Sequence, residues 1–164
     1  MFPQMRRSRQ QLSTIETEEI LHKGNTGILA FTGMESYPYA VPLNYVYLNG
    51  NIYIHCAISG YKLDCIQKNN HVCFCIVDQD TVIPDIFSTN YRSAIVFGTA
   101  SIVSDDVIRR QALEGLIQKY CADFIQSGQQ EIEKDWEKTA IIEITIEHVT
   151  AKSASQAVQN HNPS

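Results

Sequence analysis

Six segments of the chain carry apolar residues in patterns and lengths typical of β-strands. They lie at residues 27–32, 39–47, 51–56, 71–77, 91–103 and 141–149. Asn49-Gly50 separates the second segment from the third, and this dipeptide between two strands is the strongest short-range signal for a tight hairpin. Pro42 has no N–H to donate, so the second segment should be an edge strand, or contain a bulge or a break in pairing.

Three other segments show helical signals. Ser13 and Glu16 fit a capping box at the start of a helix that should end near Gly24. Residues 63–68 predict a short second helix. Ser104, followed by two aspartates, predicts the N-terminus of a third helix. The apolar stripe of this third helix follows helical spacing and comprises Ile108, Ala112, Leu113, Leu116 and Ile117.

Together these elements predict a single mainly β domain with flanking helices over residues 1–152. Six strands, one of them in a marked hairpin, favour a six-stranded antiparallel barrel, because the β-α-β alternation of a parallel sheet is absent. Residues 79–90, which contain Pro84, are expected to form a connection. The polar residues 153–164 are expected to form a flexible C-terminal tail.

The composition limits where the protein works and what it binds. The net charge of −5 disfavours non-specific binding to DNA or anionic membranes, so an anionic ligand would need a local basic pocket. The chain has no run of 18 apolar residues and no apolar segment after its basic N-terminus, which argues against a spanning helix and a secretory signal. Five cysteines without a CxxC pair indicate reduced thiols and a cytoplasmic location.

Cys73 and Cys75 lie two residues apart in the fourth strand and therefore share one face of it. Free cysteine behaves as a small apolar residue, and no second pair of ligands has the spacing of a metal site. We therefore expect the two thiols to pack in the core and the chain to hold no metal.

The loop after the third strand is the strongest candidate for chemistry. It offers the hydroxyl of Ser59, the flexibility of Gly60 and the cation of Lys62 at the start of the second helix. Free backbone N–H groups, a hydroxyl and a cation together suit a phosphate group. The two common glycine-rich nucleotide motifs and the serine-hydrolase elbow are absent, so the prediction depends on this loop alone.

Other residues allow both a structural and a functional interpretation. His55 is either a half-buried histidine bonded to the backbone or a ligand residue beside the loop. Arg92 and Ser93 are either a solvated strand end or a second part of the phosphate site, if folding or dimerisation brings them near Lys62. Asn44 is unusual in a strand, and either a ligand hydrogen bond or a water at the barrel end would explain it.

Several segments taken jointly point to a known family. They lie at residues 6–7, 27–30, 37–47, 52–57, 60–62, 91–93, 98–100 and 150–152. Over residues 5–152 the chain resembles the FMN-binding split-barrel family related to pyridoxamine 5′-phosphate oxidase, and within it the nitroimidazole-resistance (Nim-type) flavoproteins. Members often carry Gly-His-Lys where this chain has Gly60-Tyr61-Lys62, so any role of the middle histidine is lost or passes to Tyr61.

The resemblance implies a homodimer with two FMN sites at the subunit interface. Ser59 and Lys62 would hold the phosphate with help from Arg92 or Ser93, and His55 would be the catalytic residue beside the flavin ring or the substrate. The backbone of residues 41–44 would meet the isoalloxazine ring. The full set of cofactor-binding residues that the resemblance implies is Val41, Pro42, Leu43, Asn44, His55, Cys56, Ala57, Ser59, Gly60, Tyr61, Lys62, Arg92 and Ser93.

The function expected from this resemblance is that of an FMN-dependent oxidoreductase. It would pass electrons from a reduced nicotinamide to a small acceptor such as a nitroaromatic, the latter being an inference from the branch alone. Since the flavin supplies the redox chemistry, the lack of an obvious acid–base constellation does not argue against an enzyme. Two alternatives remain: a non-catalytic flavin-binding dimer that acts as a sensor or store, and a haem protein that uses His55.

Overall fold

The structure, a computed structural model, describes residues 2–154. Seven strands form one antiparallel sheet: β1 Gly27–Thr32, β2 Pro38–Leu43, β3 Val46–Leu48, β4 Asn51–Ala57, β5 His71–Ile83, β6 Ser88–Ile102 and β7 Thr139–Ala154. Four α-helices flank the sheet: α1 Thr14–Lys23, α2 Tyr61–Lys68, α3 Asp106–Tyr120 and α4 Ile125–Asp135. No helix within residues 2–154 has both the length and the apolar character needed to cross a membrane.

The order of the strands explains why the sheet curls into a split barrel. The order is β2-β1-β5-β6-β7-β4-β3, so β2 and β3 are the two edges. These edge strands are consecutive along the chain, and only Asn44 and Tyr45 separate them. The chain therefore passes directly from one edge of the sheet to the other, which brings the two edges together around a common interior. The seam between them is not hydrogen-bonded as a ladder.

Tyr45 fills this seam. Its side chain is fully buried, its ring lies 5.1 Å from the ring of Phe74, and its hydroxyl donates to the carbonyl of Ile20 at 3.4 Å. Its backbone, which has no ladder partner, is satisfied by α3: its N–H donates to the Tyr120 hydroxyl at 3.2 Å, and its carbonyl accepts from Lys119 Nζ at 3.1 Å. One residue thus joins the seam, the core and a helix.

The structure corrects the predicted strand count. The segment predicted as one strand over residues 39–47 divides into β2 and β3, because Asn44 and Tyr45 leave the sheet where the chain changes edges. Pro42 lies in the edge strand β2, opposite Ile28, as one of the interpretations expected. The mainly β antiparallel split-barrel class is confirmed, with seven strands instead of six.

Two further stretches are more regular than predicted. Residues 79–90 were expected to be a connection, but β5 and β6 continue through them as a hairpin that turns at a short 3-10 helix, Pro84–Ile86. Ser153 and Ala154, assigned to the tail, form the end of β7. The rest of the predicted tail, residues 155–164, lies outside the described residues. Pairing with β6 extends β5 and β7 beyond the segments in which apolar and polar residues alternate in the sequence.

Several local predictions are confirmed. Ser13 accepts from the backbone N–H of Glu16, whose carboxylate accepts from the backbone N–H of Ser13, so the capping box is complete. The Asn49-Gly50 hairpin pairs β3 with β4. In addition to these predicted features, the structure places Gly98 at a shift in register between β6 and β7, where a Cβ would collide with the carbonyl of Thr145.

The prediction for the two strand cysteines is wrong in its detail. Phe74 and Ile76 point into the barrel interior and are fully buried, whereas Cys73 and Cys75 point to the opposite face and are half-buried. The alternation of residues along the strand correctly predicted that the two thiols share one face. The buried face, however, is the one that bears Phe74 and Ile76. Burial still raises the pKa of both thiols. They are therefore predominantly protonated at neutral pH.

We predict that the seam carries a large part of the fold's stability. Tyr45→Ala should lower the free energy of unfolding by about 3–5 kcal/mol, since it removes a fully buried aromatic side chain. Tyr45→Phe should cost only about 1 kcal/mol, because it removes one hydroxyl and leaves the ring. Urea denaturation monitored by circular dichroism measures both.

Tyr37, which is 78% exposed, provides the matched control. Tyr37→Ala should change the unfolding free energy by no more than about 0.5 kcal/mol. Equal losses for Tyr45→Ala and Tyr37→Ala would contradict the role assigned to the seam.

Candidate functional site

The predicted phosphate loop is an exposed turn that ends at an open helix N-terminus. Ser59 and Gly60 are exposed between β4 and α2. Gly60 has φ of +136°, a conformation that side chains disfavour, so the backbone itself requires glycine at this position. No side chain caps α2, which begins at Tyr61. The first N–H groups of the helix therefore have no partner in the helix and are free to meet an anion.

Lys62 lies in the first turn of α2 and is half-buried. Among residues 2–154 it has no ion-pair partner. Its positive charge acts on two neighbours at the end of β4, His55 and Cys56. The loop hydroxyl, the helix N-terminus and this cation are therefore gathered at the same end of β4, as the phosphate prediction requires.

Desolvation and the charge of Lys62 both favour the uncharged form of His55. The side chain lies on the exposed end of β4, yet surrounding atoms remove much of its hydration. This desolvation lowers the pKa of His55 below its ordinary value, and the charge of Lys62 lowers it further. For the neighbouring Cys56 thiol, burial raises the pKa and Lys62 opposes part of the rise. His55 is thus predominantly a neutral imidazole at neutral pH.

Tyr61 holds the start of α2 in place. Its hydroxyl accepts from the backbone N–H of Met34 at 2.9 Å, and its ring lies 5.3 Å from that of Tyr39. These contacts fasten the start of α2 to the turn between β1 and β2. A tyrosine in this position therefore fixes the orientation of the helix that carries Lys62.

The predicted flavin wall, residues 41–44, lies at the seam. Val41 and Leu43 are half-buried against the interior, while Pro42 is exposed on the other face of β2. Asn44 is exposed, and its amide donates to the carbonyl of Asn25 at 3.3 Å. Asn44 and His55 line the same cavity. The fold therefore brings together two residues that sequence analysis singled out separately.

Arg92 is already engaged within the fold. It donates to the carboxylates of Asp78 and Glu19 at 2.9 and 3.0 Å and to the carbonyl of Glu16 at 3.1 Å. Partial burial alone would lower its pKa, but these hydrogen bonds and charges hold the pKa above its ordinary value. A role in phosphate binding would require Arg92 to leave two carboxylates.

Ser93 lines a separate, cationic cleft of ≈ 510 Å³. Three cations, Arg6, Arg7 and Lys152, and one carboxylate, Asp80, border this cleft. Lys152 lies directly opposite Ser93 in the pairing of β6 with β7. Sequence analysis noted these basic residues as part of the family pattern but did not assign them to a site, because the strand register that places Lys152 beside Ser93 was not visible.

Ser93 and Lys62 lie at opposite ends of the same sheet. Cys56, beside Lys62, pairs with Ala140 at the start of β7, whereas Ser93 pairs with Lys152 near its end. Twelve residues of strand separate these two pairs, up to about 40 Å along β7. The predicted helper is therefore distant from the phosphate loop along β7, and none of residues 59–62 lines the cleft of Ser93.

The described residues show no candidate metal centre. Within residues 2–154, no group of three or more His, Cys, Asp or Glu side chains is arranged to hold a metal ion.

Comparison with known proteins identifies a family and a fold. The model of the pyridoxamine 5′-phosphate oxidase family matches residues 13–153. A candidate 5-nitroimidazole antibiotic resistance protein from Bacteroides thetaiotaomicron is similar in structure, with a TM-score of 0.72 and 24% identity over 87% of this chain and 86% of the other. A comparison with curated proteins gives no match.

Two further solved structures have the same fold. The conserved hypothetical protein Rv2991 from Mycobacterium tuberculosis has a TM-score of 0.82 and 17% identity over 98% of this chain and 97% of the other. An FAD-binding protein from Mesorhizobium loti has a TM-score of 0.66 and 20% identity over 89% and 98%. At these identities the likenesses show the architecture, and the site residues remain predictions.

We predict that Lys62 depresses the pKa of His55. Lys62→Met should raise this pKa, because it removes a positive charge that disfavours the imidazolium. Titration of the His55 ring protons by NMR measures the shift. Lys68→Met, at the far end of α2, should leave the titration unchanged, and a His55 pKa that is equal in wild type and Lys62→Met would contradict the proximity of the two groups.

Proposed function

Because this chain belongs to the pyridoxamine 5′-phosphate oxidase family, we propose that it is an FMN-dependent oxidoreductase. It would take electrons from a reduced nicotinamide and pass them to a small acceptor, with a nitroaromatic as the first candidate. The observation that carries the proposal is the grouping of Lys62, the open N-terminus of α2 and neutral His55 at one end of β4. The candidate nitroimidazole resistance protein of the same fold supports the choice of acceptor.

The residues at this end of β4 fit a flavin phosphate. Free N–H groups at a helix N-terminus, the Ser59 hydroxyl and an ammonium without an ion-pair partner among residues 2–154 are the donors that a phosphate dianion uses. One helix N-terminus at the loop suits one phosphate monoester, and FMN carries one, so we propose FMN over FAD. FAD-binding proteins share this fold, so FAD is the comparison ligand in each test below.

Flavin, when bound, would accept a hydride from the nicotinamide and release two electrons to the acceptor. The chain's own task would be to hold and orient the reactants. A neutral His55 can donate one hydrogen bond and accept another, which suits it to orient a substrate or to supply a proton to a reduced acceptor. The Asn44 amide lies on the same cavity and offers further donors and an acceptor.

A homodimer would complete the site. The cleft of Ser93, Arg6, Arg7 and Lys152 has the charge to meet an anion, yet up to about 40 Å of strand separates it from Lys62. A second copy would bring its own cationic cleft to the first copy's loop. We also propose a cytoplasmic location, a setting that suits five free cysteines.

Anaerobic spectroscopy tests the proposal against a non-catalytic flavin dimer. Protein reconstituted with FMN should show a flavin band near about 450 nm, and NADH or NADPH should bleach it, with the colour returning on addition of a nitroaromatic. A bound flavin that neither nicotinamide reduces would favour the sensor or store. Protein that binds no flavin, or that shows a Soret band with haem, would contradict the proposal.

Lys62→Ala should weaken FMN binding by about 1.5–3 kcal/mol, roughly 10- to 150-fold, because a charge-assisted hydrogen bond to the phosphate is lost. Fluorescence titration with FMN, and with FAD for comparison, measures the change. Lys68→Ala is the matched control on the same helix and should bind FMN as the wild type does.

Mixing two defective chains tests whether the site is shared between subunits. Lys62→Ala and Ser93→Asp should each bind FMN weakly alone. After joint refolding, mixed dimers should regain a fraction of tight sites, since one site then has both wild-type halves. No recovery in demonstrated mixed dimers would place the whole site within one chain.

A further inference from the structure

A second cavity lies on the side of β4 that faces the helices. Its volume is ≈ 500 Å³, within the range of small-molecule sites. It is an open cleft bordered by β4, α3 and α4, and its lining comprises Asn44, His55, Leu113, Leu116, Ile117, Tyr120, Cys121, Gly128, Glu131, Ile132, Asp135 and Thr139. The phosphate loop, residues 59–62, does not line it. His55 borders both the loop's end of β4 and this cavity.

The cavity has an apolar wall and two polar ends. Leu113, Leu116 and Ile117 of α3 face Ile132 of α4 across it. Gly128 allows the two helices to approach closely, because a Cβ at this position would lie 2.8–3.0 Å from the Ile117 side chain. A mainly apolar cavity with a few convergent polar groups is the usual form of a small-molecule site.

The polar groups at one end are negative. Glu131 and Asp135 lie in the last turns of α4, where the helix dipole is also negative. Their ion-pair partners, Lys134 and Lys138, are 65% and 76% exposed and do not line the cavity. Among the described residues that line the cavity, none is lysine or arginine. Among the lining residues an anionic ligand would therefore meet two carboxylates and no cation, while Lys62 lies outside the lining next to His55.

We propose that this cavity is the acceptor-binding pocket, and that it takes an apolar, ring-sized small molecule that is neutral or cationic and never anionic. The apolar wall would hold the ring, His55 and Asn44 would bind its polar substituent, and the carboxylates of α4 would repel a negative charge. The acceptor role rests on the proposed function, whereas the ligand class rests on the lining alone. In this proposal α3 and α4 determine which substrate binds, and the barrel holds the cofactor.

Three nitroaromatics of the same ring and nearly the same size test the ligand class. They are 4-nitrobenzyl alcohol, which is neutral, 4-nitrobenzylamine, which is cationic, and 4-nitrobenzoate, which is anionic at neutral pH. Calorimetric titration of the full chain, with and without FMN, should show binding of the first two. The benzoate should bind at least about 10-fold more weakly.

Paired variants test the two parts of the pocket. Glu131→Gln with Asp135→Asn should bring the affinities for the benzylamine and the benzoate together, whereas Glu133→Gln, an α4 carboxylate that pairs with Arg110 outside the lining, should not. Cys121→Trp should abolish binding by filling the exposed rim, whereas Gln129→Trp, on α4 but outside the lining, should preserve it. Circular dichroism confirms that each variant is folded.

The outcomes separate this inference from the proposed function. FMN that is bleached by nicotinamide in a protein that binds none of the three probes would overturn the pocket and leave the oxidoreductase intact. Probe binding that FMN abolishes would assign the cavity to the flavin ring and overturn the inference. Equal affinities for amine and benzoate in the wild type would overturn the ligand class. Charge-dependent binding in a protein that binds no flavin would uphold the ligand class and overturn the acceptor role.

Discussion

The burial of Tyr45 at the seam is the constraint on which the rest of the structure depends. Where the chain leaves one edge of the sheet for the other, its backbone groups have no strand to pair with, and an unpaired buried amide is costly. Tyr120 and Lys119 of α3 supply the missing partners, and Lys119 also lies 3.8 Å above the Tyr45 ring. Burial removes part of the hydration of the Lys119 ammonium and thereby lowers its pKa to about 8.

This arrangement links the barrel to the candidate site. Because α3 is anchored at the seam, its apolar stripe covers the face of β4 that bears Tyr53 and His55. Ala112 and Leu116 of this stripe form a second core with Tyr53 and Ile141. Asn44 leaves the sheet one residue before Tyr45 and so reaches the same cavity as His55. Closure of the barrel and construction of the cavity are therefore consequences of the same two-residue break.

The sequence contained the local signals of this fold but few of its long-range ones. The Ser13 capping box, the Asn49-Gly50 hairpin and the glycine at position 60 depend on neighbours within a few residues, and patterns of spacing reveal them. The break at Tyr45 was missed, because Asn44 and Tyr45 lie inside an otherwise apolar segment and tyrosine is a favoured strand residue. The pairing of Ser93 with Lys152 was missed for a related reason, since register depends on contacts between segments that lie far apart in the chain.

The separation of Ser93 from Lys62 along β7 has a thermodynamic consequence. If a flavin takes one group from each of two chains, cofactor binding and chain association become linked equilibria, and each strengthens the other. The apparent affinity for flavin would then rise with protein concentration, and dilution would release cofactor from a protein whose every residue is intact. Dissociation of the two chains and release of the flavin would then occur together. The concentration of the chain in the cell would set the fraction that carries flavin.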